Sequence, residues 1–442
     1  STVLATNVLN TGTITLRKNP GTRADGVTAG TDKADQSAAM ALMEDSNVAA
    51  RVYLAKGKVV NQGIINIQDN VEDSSGMYIN VVNSNVINEG TINVKGEVED
   101  GVSRWQTLKV GKKGNQGATI VNGNGNTVAI NRGDIEVQGK HNIGMLANKS
   151  NATGTAQAIN ESTKIINISS GSFLSGIDSL NGGNLENNGK INIASTATNS
   201  IGVYVENGST GTGTGDITID GNGNAGVANF GTFTQTGGII DVSGKNSIGV
   251  YAKDAVSSTL IQNSTVNSKD GAVGFYADGS AGNESSIKLD GVTSTVGDGG
   301  LLFFNYTSAG TTQVGTFDIL SGGMTANIAS GGVAFYNRGL IGSEQAFLDM
   351  MSGNLTLNMS AGSRLFVFDD PGITQNLSSI PSLGGVSSIS NSSGTATITV
   401  NGSDYKYTTA NKATLNIDQN VNLDSSGDSY YKVDFFSSKV NV

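Results

Sequence analysis

Asn61-Gln62-Gly63-Ile64-Ile65-Asn66-Ile67 and Asn88-Glu89-Gly90-Thr91-Ile92-Asn93-Val94 are two copies of one pattern, Asn-x-Gly-x-Ile-x-Ile/Val. The tail of each copy alternates aliphatic with polar residues, the period of a strand with one buried face, and the head joins two residues that favour chain reversal. The pattern recurs at Asn10-Thr11-Gly12-Thr13-Ile14-Thr15-Leu16, from Asn131 to Val137 and from Asn187 to Ile193, with weaker forms ending at Ile219, Val242, Leu289 and Leu357. Ile65 to Ile92 is 27 residues, Ile166 to Ile191 is 25, Ile191 to Ile217 is 26 and Ile217 to Ile240 is 23. The chain is therefore an internal repeat with a period near 25.

A second motif follows the first by about a dozen residues: Asn142-Ile143-Gly144-Met145-Leu146-Ala147, Ser200-Ile201-Gly202-Val203-Tyr204-Val205, Ser247-Ile248-Gly249-Val250-Tyr251-Ala252, Ala272-Val273-Gly274-Phe275-Tyr276-Ala277 and Gly332-Val333-Ala334-Phe335-Tyr336. Each repeat thus holds at least two short strands closed by Gly or Asn, too little to bury a face by itself, so the repeats must stack. Leucine-rich repeats need a Leu-x-x-Leu-x-Leu pattern and helical repeats need long amphipathic runs, and the sequence has neither. The expected fold is all-β, a right-handed parallel β-helix with coils of about 25 residues, three short strands per coil and ladders of Ile, Val and Leu inside. At the Asn-x-Gly bend, glycine is expected to take positive φ and asparagines of successive coils to stack into an amide ladder.

Composition agrees with this reading. Of 442 residues, 61 are Gly, 49 Asn and only 3 Pro, as expected where bends are frequent and a proline would cost the ladder a donor. Zero cysteines exclude disulfide scaffolds, thiolate metal sites and cysteine nucleophiles. A net charge of −10 repels phosphate backbones and anionic lipid, so nucleic acid is not an expected partner. No run of 18 apolar residues and no signal peptide occur, consistent with a cytosolic or an already processed chain.

The repeat breaks in three places, where insertions map to loops. Around 17–45, the Ala-rich piece Asp32 to Met43 is either a short helix opening at Thr31 or a degenerate coil. Around 95–127 lies the single tryptophan, in Arg104-Trp105-Gln106, near Lys109, Lys112 and Lys113. Exposed Arg and Trp are enriched at binding hot spots, so Arg104 and Trp105 are candidate contact residues, although a lone Trp also serves to plug a loop against its own core. Beyond residue 361, Thr397-Ile398-Thr399-Val400 and Ser403 to Tyr407 flank Asn401-Gly402, the signature of a β-hairpin, and Tyr405 and Tyr407 become two further candidates. The expected organisation is a β-helix over 1–361 and its continuation, with the loop and hairpin, over 362–442; the chain stops in a strand and reads as part of a longer fibre.

Motifs for chemistry are weak. His141 is the only histidine and reads as a bend residue, no Gly-x-Ser-x-Gly occurs, and Gly221-Asn222-Gly223-Asn224-Ala225-Gly226 matches a dinucleotide fingerprint without the helix that would cradle a phosphate. Two calcium-like stretches, Asp220 to Asn224 and Asp418 to Asn422, put Ala225 or Leu423 at the glycine position and Gly231 or Ser429 at that of the bidentate Glu. The adjacent pair Asp369-Asp370 precedes Pro371 and reads as a solvated bend. No catalytic residue, metal site or cofactor is expected.

Asn-x-Gly-(Thr/Lys/Ile)-Ile-Asn-(Ile/Val) alternating with Ser-Ile-Gly-Val-Tyr-Ala in a chain without Cys resembles the passenger repeats of very large type V autotransporter adhesins, most closely those of fusobacteria, clearly over residues 10 to 360. The resemblance implies export through a C-terminal outer-membrane β-barrel, display on the cell surface, no enzymatic activity, and binding to protein or glycan receptors on other bacteria or host cells. It carries no binding residue onto this chain. A passive spacer accounts for the repeats equally well, while a polysaccharide-cleaving β-helix is disfavoured by an aromatic content of 6%.

Overall fold

The structure is a computed structural model. It describes residues 6–16, 38–43, 57–68, 75–80, 83–96, 116–121, 126–149, 154–253, 258–279, 285–307, 315–339, 350–369, 374–376, 385–391, 394–402, 406–410, 414–416, 432–435 and 439–441. The chain divides into two compact units, Ser1–Asn224 and Ala225–Val442. Each is an all-β solenoid of stacked parallel strands, and no α-helix occurs among the described residues.

In the N-terminal unit, one coil runs through Asn184–Asn187, Lys190–Ile193 and Ile201–Val205, which belong to three different faces. On the second face, Thr13–Leu16, Ile64–Ile67, Thr91–Val94, Asp134–Lys140, Ile165–Ser172, Lys190–Ile193 and Ile217–Ile219 follow one another in parallel register. The repeat's first aliphatic thereby becomes one column: Ile65, Ile92, Ile135, Ile166, Ile191 and Ile217 are at most 1% exposed. Burying each such side chain contributes about 1.5–3 kcal/mol, and the column exists only because the coils stack.

The Asn-x-Gly bend joins the first face to the second. Asn10, Asn61, Asn88, Asn131, Asn160 and Asn187 form a buried amide ladder in which the Nδ2 of each of the first five donates to the Oδ1 of the next, at 2.8, 2.8, 2.9, 2.9 and 2.9 Å. Glycine's role here differs from the expected one. Gly63, Gly90, Gly133 and Gly215 do not have positive φ. A Cβ on any of them would instead collide with the carbonyl oxygen of the preceding glycine in the column, so the residue is set by the close approach of coils.

In the C-terminal unit the coil repeats as Ser258–Gln262, Thr265–Lys269 and Val273–Asp278, then Ser285–Asp290, Val292–Val296 and Leu301–Thr307, then Gly315–Ile319, Met324–Ile328 and Val333–Gly339. Its core is aromatic. Phe275, Phe303, Phe335 and Phe366 share one register column on the third face and are fully buried, with successive ring centroids 5.6, 5.8 and 4.7 Å apart. Phe317 closes on Phe303 from the first face at 4.8 Å.

Several local expectations resolve. Ala38–Met43 is a strand in parallel register with Ser75–Asn80, so the Ala-rich piece ends in a coil. Gln116–Val121, within the second irregular region, likewise lies between Ser75–Asn80 and Ile143–Asn148. The hairpin around Asn401-Gly402 does not form: Gly394–Asn401 pairs antiparallel with Gly385–Asn391 on its other side, whereas Lys406–Ala410 pairs in parallel with Arg364–Asp369 on the third face. Asn401-Gly402 is a solenoid corner instead, its Asn401 Nδ2 donating to Asn358 Oδ1 at 2.9 Å and its Gly402 taking φ of 115° over the Met359 carbonyl. His141 is a bend residue with φ of 59°, its ring stacked on Phe173 at 5.1 Å.

Candidate recognition surface

Third-face strands of the C-terminal unit alternate sharply. Phe275 and Ala277, or Phe303 and Asn305, are buried inside the coil, which sends Tyr276, Asp278, Phe304 and Tyr306 to the outside. Register then assembles two exterior columns. One is Tyr251, Tyr276, Phe304 and Tyr336; the other is Lys253, Asp278, Tyr306, Arg338 and Asp369. Stacking fixes the first column: ring centroids lie 5.3, 5.0 and 5.7 Å apart, tilted, edge-on and stacked in turn.

The second column fastens the first. Tyr251 Oη donates to Asp278 Oδ2 at 2.6 Å, and Lys253 Nζ lies 3.2 Å from the same oxygen. Tyr336 Oη donates to Asp369 Oδ2 at 2.6 Å, with Arg338 Nε 3.7 Å away. Burial, then the nearby Asp278 and Tyr306, pushes the Tyr276 phenol well above its ordinary pKa. Burial, then the hydrogen bond and charge of Asp369, does the same to Tyr336 against the opposing pull of Arg338. Both phenols are therefore neutral donors at physiological pH.

Tyr306 leaves 43% of its surface exposed, and the Arg338 guanidinium sits 5.9 Å above its ring centroid. A half-buried row of rings ending in an exposed Tyr/Arg pair offers ring faces, an arginine fork and phenol oxygens, which suit non-covalent recognition. Among the described residues, no group of three or more His, Cys, Asp or Glu side chains is placed to hold a metal ion.

The residues singled out from sequence are not brought together here. Arg104, Trp105 and Tyr405 lie outside the described residues. Tyr407 stands in the strand Lys406–Ala410 opposite Phe366, at the register position of the internal phenylalanine column rather than on a hairpin. Asp369, read as a solvated bend residue, is 2% exposed and accepts the Tyr336 hydrogen bond, because it closes the strand Arg364–Asp369 instead of opening a turn. A readable signal for the exterior columns was present: Tyr251-x-Lys253, Tyr276-x-Asp278, Phe304-x-Tyr306 and Tyr336-x-Arg338 repeat an aromatic and a polar or charged residue on one side of each strand. The Asp220 to Asn224 stretch serves the fold as a corner, with Asn224 Nδ2 donating to the Ala197 carbonyl at 3.0 Å and its Oδ1 accepting from the Ser200 N–H at 2.8 Å. Asp418 to Asn422 lies outside the described residues.

Fold and surface together define a class, a parallel β-solenoid with an aromatic and charged stripe along one face. Comparison of the chain with protein-family models, with curated proteins and with solved structures finds no match in any of the three.

Proposed function

We propose that this chain is a passenger segment of an autotransporter adhesin, displayed on the outer face of a bacterial outer membrane and binding receptors on other bacteria or host cells without catalysing a reaction. The stripe formed by Tyr276, Phe304, Tyr336, Tyr306 and Arg338 carries the reading, since a segment that only spaced would have no use for a fastened row of rings ending in an exposed Tyr/Arg pair. The resemblance of the repeats to such passengers supports the display and the barrel anchor. The test is saturable binding of the purified 442-residue chain to whole bacteria and host cells, with free sugars or arginine as competitors. A Tyr306→Ala/Arg338→Ala variant is expected to lose most of the binding, and a Trp105→Ala/Tyr405→Ala variant reports on the loop candidates. A second reading, a passive spacer, is favoured by the amide ladder of the N-terminal unit, which serves stacking alone. A folded chain that binds none of the cells would establish it.

A further inference from the structure

The second face of the C-terminal unit carries a feature that recognition at the third face does not use. Thr265, Thr293, Thr325, Thr356 and Thr399 occupy one exterior register column over five successive coils. Two residues on, Asn267, Thr295, Asn327, Asn358 and Asn401 form a parallel column, while Val266, Ser294, Ala326, Leu357 and Val400 between them point inward and are buried. Ladder bonds order the array. Asn358 Nδ2 donates to Asn327 Oδ1 at 2.8 Å, Asn401 Nδ2 to Asn358 Oδ1 at 2.9 Å, and the Thr265 and Thr293 hydroxyls bond at 2.9 Å.

None of these ten positions is charged, in a chain of net charge −10. The columns become charged only outside the run: Asp241 follows the Asn column one coil earlier, and the equivalent face of the N-terminal unit carries Asp134, Glu136 and Lys190. Lys269, Asp270 and Asp298 lie beyond one rim of the array and Asp290 beyond the other.

We propose that this neutral array is a self-association surface whose partner is a second copy of the same chain. Two copies repel wherever carboxylates meet, and this is a face on which they do not. Hydroxyls and amides both donate and accept, so the array complements itself across a two-fold axis, and the identical coil spacing keeps the groups matched along its whole length. Side chains already held by ladder bonds lose little freedom on pairing. From the strand spacing and rise the array measures roughly 15 Å by 25 Å, well under the footprint of a standard interface of about 800 Å² per partner. The association is accordingly weak and reversible, and becomes effective where copies are crowded on a surface.

Sedimentation equilibrium of the full chain from about 1 μM to about 1 mM tests this. Wild type is expected to rise in mean mass with concentration. Thr325→Glu/Asn358→Glu and Thr325→Lys/Asn358→Lys chains are each expected to associate at least about tenfold more weakly, through like-charge repulsion. An equimolar mixture of the two is expected to recover association, which a variant that had merely lost its fold could not do. A single exposed substitution, Thr293→Glu, is a milder check should either double variant fold poorly. A wild type that stays monomeric throughout, a Glu variant that associates like wild type, or a mixture no better than its components would each overturn the proposal.

Discussion

The N-terminal unit buries a five-bond amide ladder at its first corner, whereas the C-terminal unit buries a column of rings on its third face and keeps shorter runs of amide bonds elsewhere. At the first corner of the N-terminal unit Asn61, Asn88, Asn131 and Asn160 each have one acceptor above and one donor below, so a shift of one residue breaks every bond in the column. On the third face of the same unit the register column runs Met40, Met77, Ala118, Met145, Ile177 and Val203, a series without a ring. The C-terminal unit shifts this emphasis: after Val227 and Val250 its third-face column holds Phe275, Phe303, Phe335 and Phe366, and its first face buries Ile261, Leu289 and Ile319 in one column. Directional bonds specify register at small net gain, whereas rings supply more burial. Neither device depends on a constant period: the rungs of the amide ladder lie 51, 27, 43, 29 and 27 residues apart, and second-face positions of the C-terminal unit lie 28, 32 and 31 apart along Thr265, Thr293, Thr325 and Thr356.

The contrast is most severely tested in the phenylalanine column. Phe303 touches Phe275, Phe335 and Phe317, and truncation to alanine leaves a cavity that straight strands cannot collapse. Phe303→Ala is expected to cost about 3–5 kcal/mol, read as faster hydrogen exchange in strands of the C-terminal unit. Asn88→Ala is the counterpart. It removes the acceptor of Asn61 and the donor to Asn131, and is expected to cost about 1–3 kcal/mol, with exchange rising around Ile65 and Ile135. If Asn88→Ala proved the more damaging of the two, the assignment of register to amides and bulk stability to rings would be wrong.

Much of this was legible from residues alone. The Ile-x-Ile tails gave the inward columns, and Asn10, Asn61, Asn88, Asn131 and Asn187 gave the ladder, because both are short local patterns that recur intact however much chain separates the copies. Asn401-Gly402 misled for a physical reason: a type I′ hairpin turn and a solenoid corner ask for the same residues, and only the partner strand, distant in sequence, distinguishes them. The glycine of Asn-x-Gly was foreseen for its conformational freedom, yet the structure needs its missing side chain, since coil-to-coil distance has no sequence signature. The exterior stripe went unread inside the second strand motif, because Tyr251, Tyr276 and Tyr336 satisfy a hydrophobic pattern whichever way they face.

Alkaline titration sharpens the comparison at smaller cost. The phenols of Tyr276 and Tyr336 are held above their ordinary pKa by burial first and by Asp278 and Asp369 next. Unfolded tyrosines ionise near pH 10, so above that value the unfolded chain releases protons that the fold retains, and the C-terminal unit should lose stability as pH rises further while being unaffected below. Burial shifts Tyr78 of the N-terminal unit in the same direction without a carboxylate neighbour among its causes, so exchange there should respond less. Tyr336→Phe should flatten part of the loss and, by removing the hydrogen bond to the buried Asp369, cost about 1–2 kcal/mol near neutral pH.

The smallest expected effect is a gain, at the place where the amide ladder stops. Asn187 is fully buried, and its Nδ2 has no hydrogen-bond partner. The reason lies one coil on: Asn187 is in register with Gly213, so where every earlier rung meets an amide oxygen, this one meets no side chain. Gly213 lies in the strand Thr210–Gly213 and does not have positive φ, so its backbone accepts a side chain without strain. Gly213→Asn should therefore add a rung, satisfying Asn187 and restricting the unfolded chain, for a gain of about 0.5–1.5 kcal/mol. Gly213→Ala separates the two contributions, since it restricts the unfolded chain but brings no oxygen. Should the alanine chain gain as much as the asparagine chain in hydrogen exchange around Lys190–Ile193, the ladder would be adding no stability of its own at that rung, and register in this unit would have to be credited to the isoleucine column instead.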